Sequence, residues 1–167
     1  MADGHVTRLV KVAVFFCALF WLSPTAWAGE KVILTFGDSL TAGYGLPAAD
    51  GFVARLQASL RQQGRDVRVR NGSVSGDTTA GGRARLGWTL SGQIDLVILE
   101  LGANDALRGI NPAETRRNLD AILDKLGQRG LPVLLAGMRA PPNLGAIYVQ
   151  AHNKIYPDLA RRHGVTL

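Results

Sequence analysis

The sequence contains a single cysteine, Cys17, among 167 residues. Because Cys17 lies within the first 28 residues, the rest of the chain can form neither a disulfide nor a thiolate metal site. Histidine is also scarce, and only His152 and His163 follow residue 28. Neither stands with Asp or Glu at a spacing typical of a metal site, so we expect no metal and no cofactor.

The chain also lacks an apolar run long enough to span a bilayer. The run Val12–Leu22 has eleven residues, too few for a membrane-spanning helix. Two basic residues precede this run, and Ala26–Ala28 follows it as a small-x-small cleavage site. This pattern predicts a secretory signal over residues 1–28, removed near Ala28, and a single exported domain over 29–167, periplasmic or secreted. An uncleaved membrane anchor is the alternative.

Acidic residues are too few to balance the basic ones, and the net charge is +6 at pH 7. Without the first 28 residues, which carry Arg8 and Lys11 against Asp3, the net charge is +5. The arginines fall on several predicted elements without interleaved aromatic residues, which argues against a nucleic-acid groove. We therefore expect a monomer that takes a small-molecule partner, binds no nucleic acid and has at most a weak attraction to anionic lipid surfaces.

Apolar runs of strand length alternate with segments of helical periodicity. They predict four strands, Lys31–Phe36, Val67–Asn71, Ile94–Leu101 and Pro132–Met138. The predicted helices are one capped by Asp50 and ended by Gly64, Thr79–Thr89, one capped by Asn111, and Ala146–Arg162 with a kink at Pro157. This alternation predicts an α/β fold: a three-layer α/β/α sandwich around a flavodoxin-like parallel sheet of order 2-1-3-4-5. The fifth strand is expected to begin at Val165 and to be cut off there.

Polar segments follow the first three predicted strands. They are Gly37–Leu40, Asn71–Asp77 and Gly102–Asp105. In the order 2-1-3 these strands are neighbours, so we expect the three segments to meet at the carboxyl edge of the sheet, where such folds bind ligands.

A serine at this edge suits attack on an acyl carbon, provided that preorganised donors hold the developing oxyanion. We expect Ser39 to be the nucleophile. The candidate donors are the backbone N–H of Ser39, the backbone N–H of Gly76 and the side-chain amide of Asn104. Asp38 and Asp105 are interpreted as residues that shape their loops by hydrogen bonding.

These segments resemble the first three motif blocks of the GDSL or SGNH hydrolases. The strings GDSLTAGYGL, NGSVSGDTT and ELGANDALRGINP are most similar to an exported bacterial branch described as multifunctional acyl-CoA thioesterase, lysophospholipase and arylesterase. The resemblance covers the chain from about residue 31 onwards. It implies a serine esterase or thioesterase that works through an acyl-enzyme on Ser39, with Gly76 and Asn104 completing the oxyanion hole and without a cofactor.

The sequence departs from the family pattern because no D-x-x-H block follows. The family takes its catalytic base from that block, whereas position 149, three residues before His152, is Val. We interpret His163 as a surface or helix-end histidine, and His152, on the flank of its predicted helix, as a non-catalytic one. The simplest interpretation is that Leu167 is a truncation point, in which case the chain as given lacks its base and can be inactive.

Two loops at the expected edge carry apolar residues suited to an acyl groove: Leu107, Ile110, Leu144 and Ile147. Two further functions remain open, a non-catalytic relative that binds acyl or sugar esters and a carbohydrate acetylesterase of the same superfamily. The Gly-x-Gly pattern at residues 43–48 matches a dinucleotide fingerprint on paper, but it begins too far after its strand to hold a pyrophosphate.

Overall fold

The computed structural model describes residues 29–167. Its sheet has four parallel strands: β1 (Lys31–Gly37), β2 (Val67–Asn71), β3 (Leu96–Glu100) and β4 (Val133–Leu135). They lie in the order β2-β1-β3-β4, which confirms the predicted order for these four strands. Thr166 makes an isolated parallel bridge to Leu134, on the side of β4 where the fifth strand was predicted.

Seven α-helices of the described part connect and flank the strands. They are α1 (Ser39–Ala42), α2 (Phe52–Gln62), α3 (Thr79–Thr89), α4 (Ala103–Leu107), α5 (Pro112–Gln128), α6 (Ala146–Asn153) and α7 (Ile155–His163). A short 3-10 turn, Pro142–Leu144, precedes α6. None of the helices in residues 29–167 combines the length and the apolar character needed to cross a membrane.

The core forms where alternate residues of the buried strands meet α3, α5 and α7. Because successive side chains of a strand point to opposite faces, Leu34 and Phe36 share one face of β1. The long helix α5 packs between α3 and α7 and contributes the fully buried side chains Leu119, Ile122, Leu123 and Leu126. These helices pack against the sheet and so fix the strands whose ends carry the carboxyl-edge loops.

Helix boundaries follow the predicted caps at one site and depart from them at another. Asn111 caps α5 as predicted, with its side chain accepting from the N–H of Ala113 and Pro112 in the first position. Asp50 does not cap α2: Gly51 is the N-cap. The carboxylate of Asp50 binds Arg55 instead, at 2.8 Å.

The single kinked helix predicted over Ala146–Arg162 is wrong, because the chain forms two helices that break at Lys154. The break lies three residues before Pro157. Proline offers no N–H to the carbonyl of Asn153, and its ring crowds that carbonyl, so α6 ends there. Pro157 then lies in the first turn of α7, where its missing N–H costs nothing.

Candidate active site

The carboxyl ends of β1, β2 and β3 are joined by backbone hydrogen bonds into one polar rim. The N–H of Gly72 donates to the carbonyl of Thr35 at 2.8 Å, and that of Val74 donates to Gly37 at 3.0 Å. Gly37 is also in register with Glu100 at the end of β3. The topology thus brings together the three segments that the sequence predicted to meet.

Ser39 begins the four-residue helix α1 at this rim and is half-buried. The turn is held by Asp38, which is fully buried and whose Oδ1 accepts from the N–H of Leu40 at 3.0 Å. Asp38 therefore shapes the turn, as predicted. Within residues 29–167 the N–H of Ser39 donates to no protein group.

Gly76 lies in the exposed loop between β2 and α3, with φ of +82°. A side chain there would meet only the guanidinium of Arg108, at 3.9 Å, so the backbone conformation rather than space calls for glycine. Its carbonyl accepts from Arg108 at 2.8 Å. Its N–H has no acceptor in the part of the chain that the structure describes.

Asn104 on α4 links the other two segments. Its Nδ2 donates to Oδ2 of Asp38 at 3.0 Å and to the carbonyl of Asp77 at 2.9 Å. The amide is thereby fixed between the turn that carries Ser39 and the loop that carries Gly76. Both of its hydrogens are engaged, so it can donate to a ligand only by sharing one of these bonds.

Gly102 and Asp105 position the short helix α4. Gly102 has φ of +118°, and a Cβ there would collide with the hydroxyl of Tyr156, so glycine is needed on both counts. The buried Asp105 accepts from the N–H of Thr79 at 2.8 Å and from the hydroxyl of Thr115 at 3.2 Å. As predicted, Asp105 shapes its loop, by tying α4 to α3 and α5.

Beneath the rim lies a buried carboxyl that the sequence analysis missed, Glu100. Its Oε2 accepts from the N–H of Asp38 at 3.2 Å and from the hydroxyl of Thr41 at 2.9 Å. Burial, and next the negative charge of Asp38, raises the pKa of Glu100 to about 7. In the sequence, Glu100 could have been recognised as a lone carboxylate at the end of an otherwise apolar strand.

Neither histidine of residues 29–167 forms a hydrogen bond with Ser39. His152 is fully buried between Tyr148, whose ring centroid lies 6.1 Å away, and Tyr156, at 5.7 Å. Neither ring nitrogen forms a well-aligned hydrogen bond with the described residues. Burial lowers the pKa of His152 by more than the neighbouring Gly102 backbone, the charge of Asp105 and the Asn153 side chain raise it. Its complete burial was not anticipated from its position on a helix flank.

His163 ends α7, as predicted, and lies beside the amino end of β4. Its Nε2 is 2.6 Å from Asp120, and its Nδ1 is 3.7 Å from Asp124. These three side chains form a cluster that the sequence analysis did not find, because α5 and α7 bring together residues far apart in sequence. Only the 2.6 Å contact with Asp120 is short enough for a hydrogen bond, and Asp120 also pairs with Arg162 at 3.0 Å.

A groove of about 740 Å³ opens between the loop after α4 and the start of α6. Leu144 and Ile147, two of the four residues predicted for an acyl groove, line it. Ile110 flanks it, with its carbonyl accepting from the hydroxyl of Tyr148 at 2.7 Å. Leu107 is outside the lining and 70% exposed.

The fold and the rim define a class of protein, a parallel α/β sandwich with hydrogen-bonded polar loops at the carboxyl edge of its sheet. Within that class, residues 35–167 match the model of the GDSL-like Lipase/Acylhydrolase family. The chain belongs to this family, which confirms the resemblance found in its three motif blocks.

Relatives and solved structures with similar chains are named as esterases. Esterase TesA of Pseudomonas aeruginosa is 42% identical over 144 residues, which cover 86% of this chain and 72% of that protein. The Arylesterase of Vibrio mimicus is 42% identical over 161 residues, covering 96% and 78%. The crystal structure of AlinE4, an SGNH-hydrolase family esterase, is 49% identical with a TM-score of 0.81, covering 83% of this chain and 75% of that one.

Proposed function

We propose that this protein is a serine hydrolase of carboxylic esters and thioesters, with Ser39 as its nucleophile. The Oγ of Ser39 attacks the acyl carbon, and the alcohol or thiol leaves with a proton as an acyl-enzyme forms. Water then attacks the same carbon, releases the acid and restores the serine hydroxyl. No step calls for a cofactor.

The single observation that carries this proposal is the hydrogen bonding of Asn104. Its amide bridges Asp38 and Asp77, each next in sequence to a proposed oxyanion donor, Ser39 and Gly76. Two backbone N–H groups without acceptors in the described part of the chain therefore lie in segments joined by one side chain. Donors of this kind are each worth about 3 to 4 kcal/mol to the transition state.

Asn104 is the third proposed donor, and it can reach an oxyanion by sharing one of its two existing bonds. Sharing with the carbonyl of Asp77 costs less than sharing with the carboxylate of Asp38, because hydrogen bonds to a charged acceptor are stronger. We therefore assign the bond to Asp38 a positioning role and the hydrogen facing Asp77 the catalytic one.

A serine hydroxyl needs a base to be a good nucleophile at neutral pH, and we assign none to residues 29–167. The second candidate function is the binding of acyl esters without turnover. The two candidates differ in one measurement, the release of product from a bound ester.

The test compares the protein as its source cell makes it with its Ser39→Ala variant. Hydrolysis of p-nitrophenyl butyrate should fall to the uncatalysed rate in Ser39→Ala, while Ser59→Ala, an exposed serine on α2, should match the unaltered protein. Binding of the ester without product release from the unaltered protein would instead support the second candidate.

The groove lined by Leu144 and Ile147 is proposed to hold the acyl chain. Its lining comes from the loop that follows α4, the start of α5 and the start of α6. A groove of this kind favours chains longer than acetyl, because each buried methylene contributes about 0.8 kcal/mol. Rates that peak at acetyl esters would favour the carbohydrate acetylesterase alternative.

Export is proposed from the signal pattern over residues 1–28, which lies outside the described residues. Cleavage near Ala28 would leave Gly29 or Glu30 at the amino terminus, directly before β1. Amino-terminal sequencing of the protein from its source cell tests this. A terminus at Met1 or Ala2 would contradict it.

A further inference from the structure

Arg85 on α3 donates hydrogen bonds to three segments of the rim. Its Nε donates to Oδ2 of Asp77 at 2.6 Å and its Nη2 to the carbonyl of Gly37 at 3.1 Å. Its Nη1 donates to the carbonyl of Gly72 at 2.5 Å. One guanidinium thus binds the end of β1, the residue after β2 and the loop that carries Gly76.

Packing fixes the plane of this guanidinium. Its carbon lies 4.2 Å from the centre of the Phe36 ring, a cation-π contact. The side chains of Arg85 and Asp77 are only 20% and 12% exposed, so water screens their charges weakly. The arginine is therefore held rigidly, and it can hold its acceptors rigidly in turn.

Helix α3 also makes room for Asp77 in a second way. A Cβ on Gly81 would collide with Oδ1 of Asp77. Gly81 therefore lets the carboxylate lie directly against the helix that carries Arg85. The ion pair between Arg85 and Asp77 and the close packing at Gly81 fix the same peptide segment independently.

Each proposed oxyanion donor is either close in sequence or hydrogen-bonded to a residue that accepts from Arg85. Asp77 directly follows Gly76, and its carbonyl accepts from the amide of Asn104 at 2.9 Å. Gly37 lies two residues before Ser39. A displacement of the Arg85 guanidinium would therefore move all three donors relative to one another.

We infer that Arg85 is the positioning residue of the oxyanion hole, setting the mutual geometry of the donors without touching substrate. This inference rests on the proposed hydrolysis at Ser39. Lysine cannot take over the role, because one ammonium cannot reproduce a planar fork aimed at a carboxylate and two carbonyls. A purely structural ion pair would affect folding but leave the turnover of the folded protein unchanged.

The first experiment measures kcat and KM for p-nitrophenyl butyrate in Arg85→Lys and Arg85→Met of the protein from its source, well below their unfolding temperatures. The matched control is Arg83→Met, an exposed arginine of the same helix with one long bond, 3.3 Å, to Asn118. We expect kcat to fall about 10- to 100-fold in both Arg85 variants, with KM changed less than about threefold. Arg83→Met should keep the kcat of the unaltered protein.

The second experiment measures hydrogen exchange of the backbone over residues 72–78, which needs no turnover. Exchange there should be faster in Arg85→Met than in Arg83→Met. Exchange equal to that of Arg83→Met, or an unchanged kcat in folded Arg85→Met, would overturn the inference. Failure of the proposed function gives a different result, because hydrolysis would then persist in Ser39→Ala or be absent from the unaltered protein.

Discussion

The buried carboxyl of Glu100 should make the protein less stable as the pH rises from about 4.5 to about 7. The unfolded side chain ionises near its ordinary pKa of 4.5, whereas burial beside Asp38 raises the folded pKa to about 7. Between these values the folded state binds more protons than the unfolded state, so the free energy of unfolding falls as pH increases. Above about pH 7 both states are ionised, and this contribution changes no further.

The size of the effect follows from the two pKa values. A tenfold change in proton affinity is worth about 1.4 kcal/mol, so the step from 4.5 to about 7 amounts to as much as about 3 kcal/mol. Glu100→Gln removes the titration. The amide oxygen can still accept from Asp38 and Thr41, so the variant should fold.

The assay is urea unfolding of both proteins at pH 4.5, 6 and 8. The free energy of unfolding of Glu100→Gln, relative to that of the unaltered protein, should increase from pH 4.5 to pH 8 by up to about 3 kcal/mol. Glu114→Gln, an exposed carboxylate on α5, serves as the control and should stay within about 0.5 kcal/mol. Parallel stability curves for Glu100→Gln and the unaltered protein across this range would show that Glu100 does not cause the pH dependence.

Three further changes have defined outcomes. His152→Phe should raise the free energy of unfolding by about 1 kcal/mol, because neither buried ring nitrogen forms a well-aligned hydrogen bond. The gain should be larger at pH 5 than at pH 8, because the lowered pKa of His152 makes the folded protein lose stability as pH falls. Gly102→Ala should destabilise by several kcal/mol, since a methyl group there collides with Tyr156 in a positive-φ backbone. Leu144→Ala with Ile147→Ala should reduce kcat/KM for decanoyl esters about tenfold more than for acetyl esters.

Each of these three has a measurement that can contradict it. For His152→Phe, thermal melts at the two pH values should diverge, and a variant as acid-sensitive as the unaltered protein would show that the histidine is not the source. Gly109→Ala is the control for Gly102→Ala: Gly109 also has a positive φ, +64°, but a Cβ added there has no atom within 4 Å. This variant isolates backbone strain, so it should lower the free energy of unfolding less than Gly102→Ala does. For the groove, equal losses on acetyl and decanoyl esters would remove the acyl-chain assignment.

The parallel topology explains why the rim could be predicted from the sequence. Once alternating strands and helices indicate a sheet of order 2-1-3, the residues after each strand must meet at one edge. Ser39, Gly76 and Asn104 could therefore be placed in neighbouring segments without any contact being known. The hydrogen bonds that join these segments, from Asn104 to Asp38 and Asp77, agree with that placement.

The supporting residues could not be predicted, because their role depends on side-chain contacts across the fold. From the sequence, Arg85 cannot be told from the surface arginines of the chain, because it lies on a weakly amphipathic helix and its acceptors are distant in sequence. Glu100 reads as part of an apolar strand. Local competition also misled the sequence rules: Asp50 forms an ion pair with Arg55 rather than a cap, and Pro157 ends the helix before it instead of kinking it.

Trapping the covalent intermediate would identify the nucleophile directly. The protein from its source cell is mixed with p-nitrophenyl butyrate, quenched in acid during turnover and digested for peptide mass spectrometry. We expect a butyryl group on the Oγ of Ser39 and none in Ser39→Ala. Ester hydrolysis with no adduct on Ser39, or with the adduct on another residue, would contradict it.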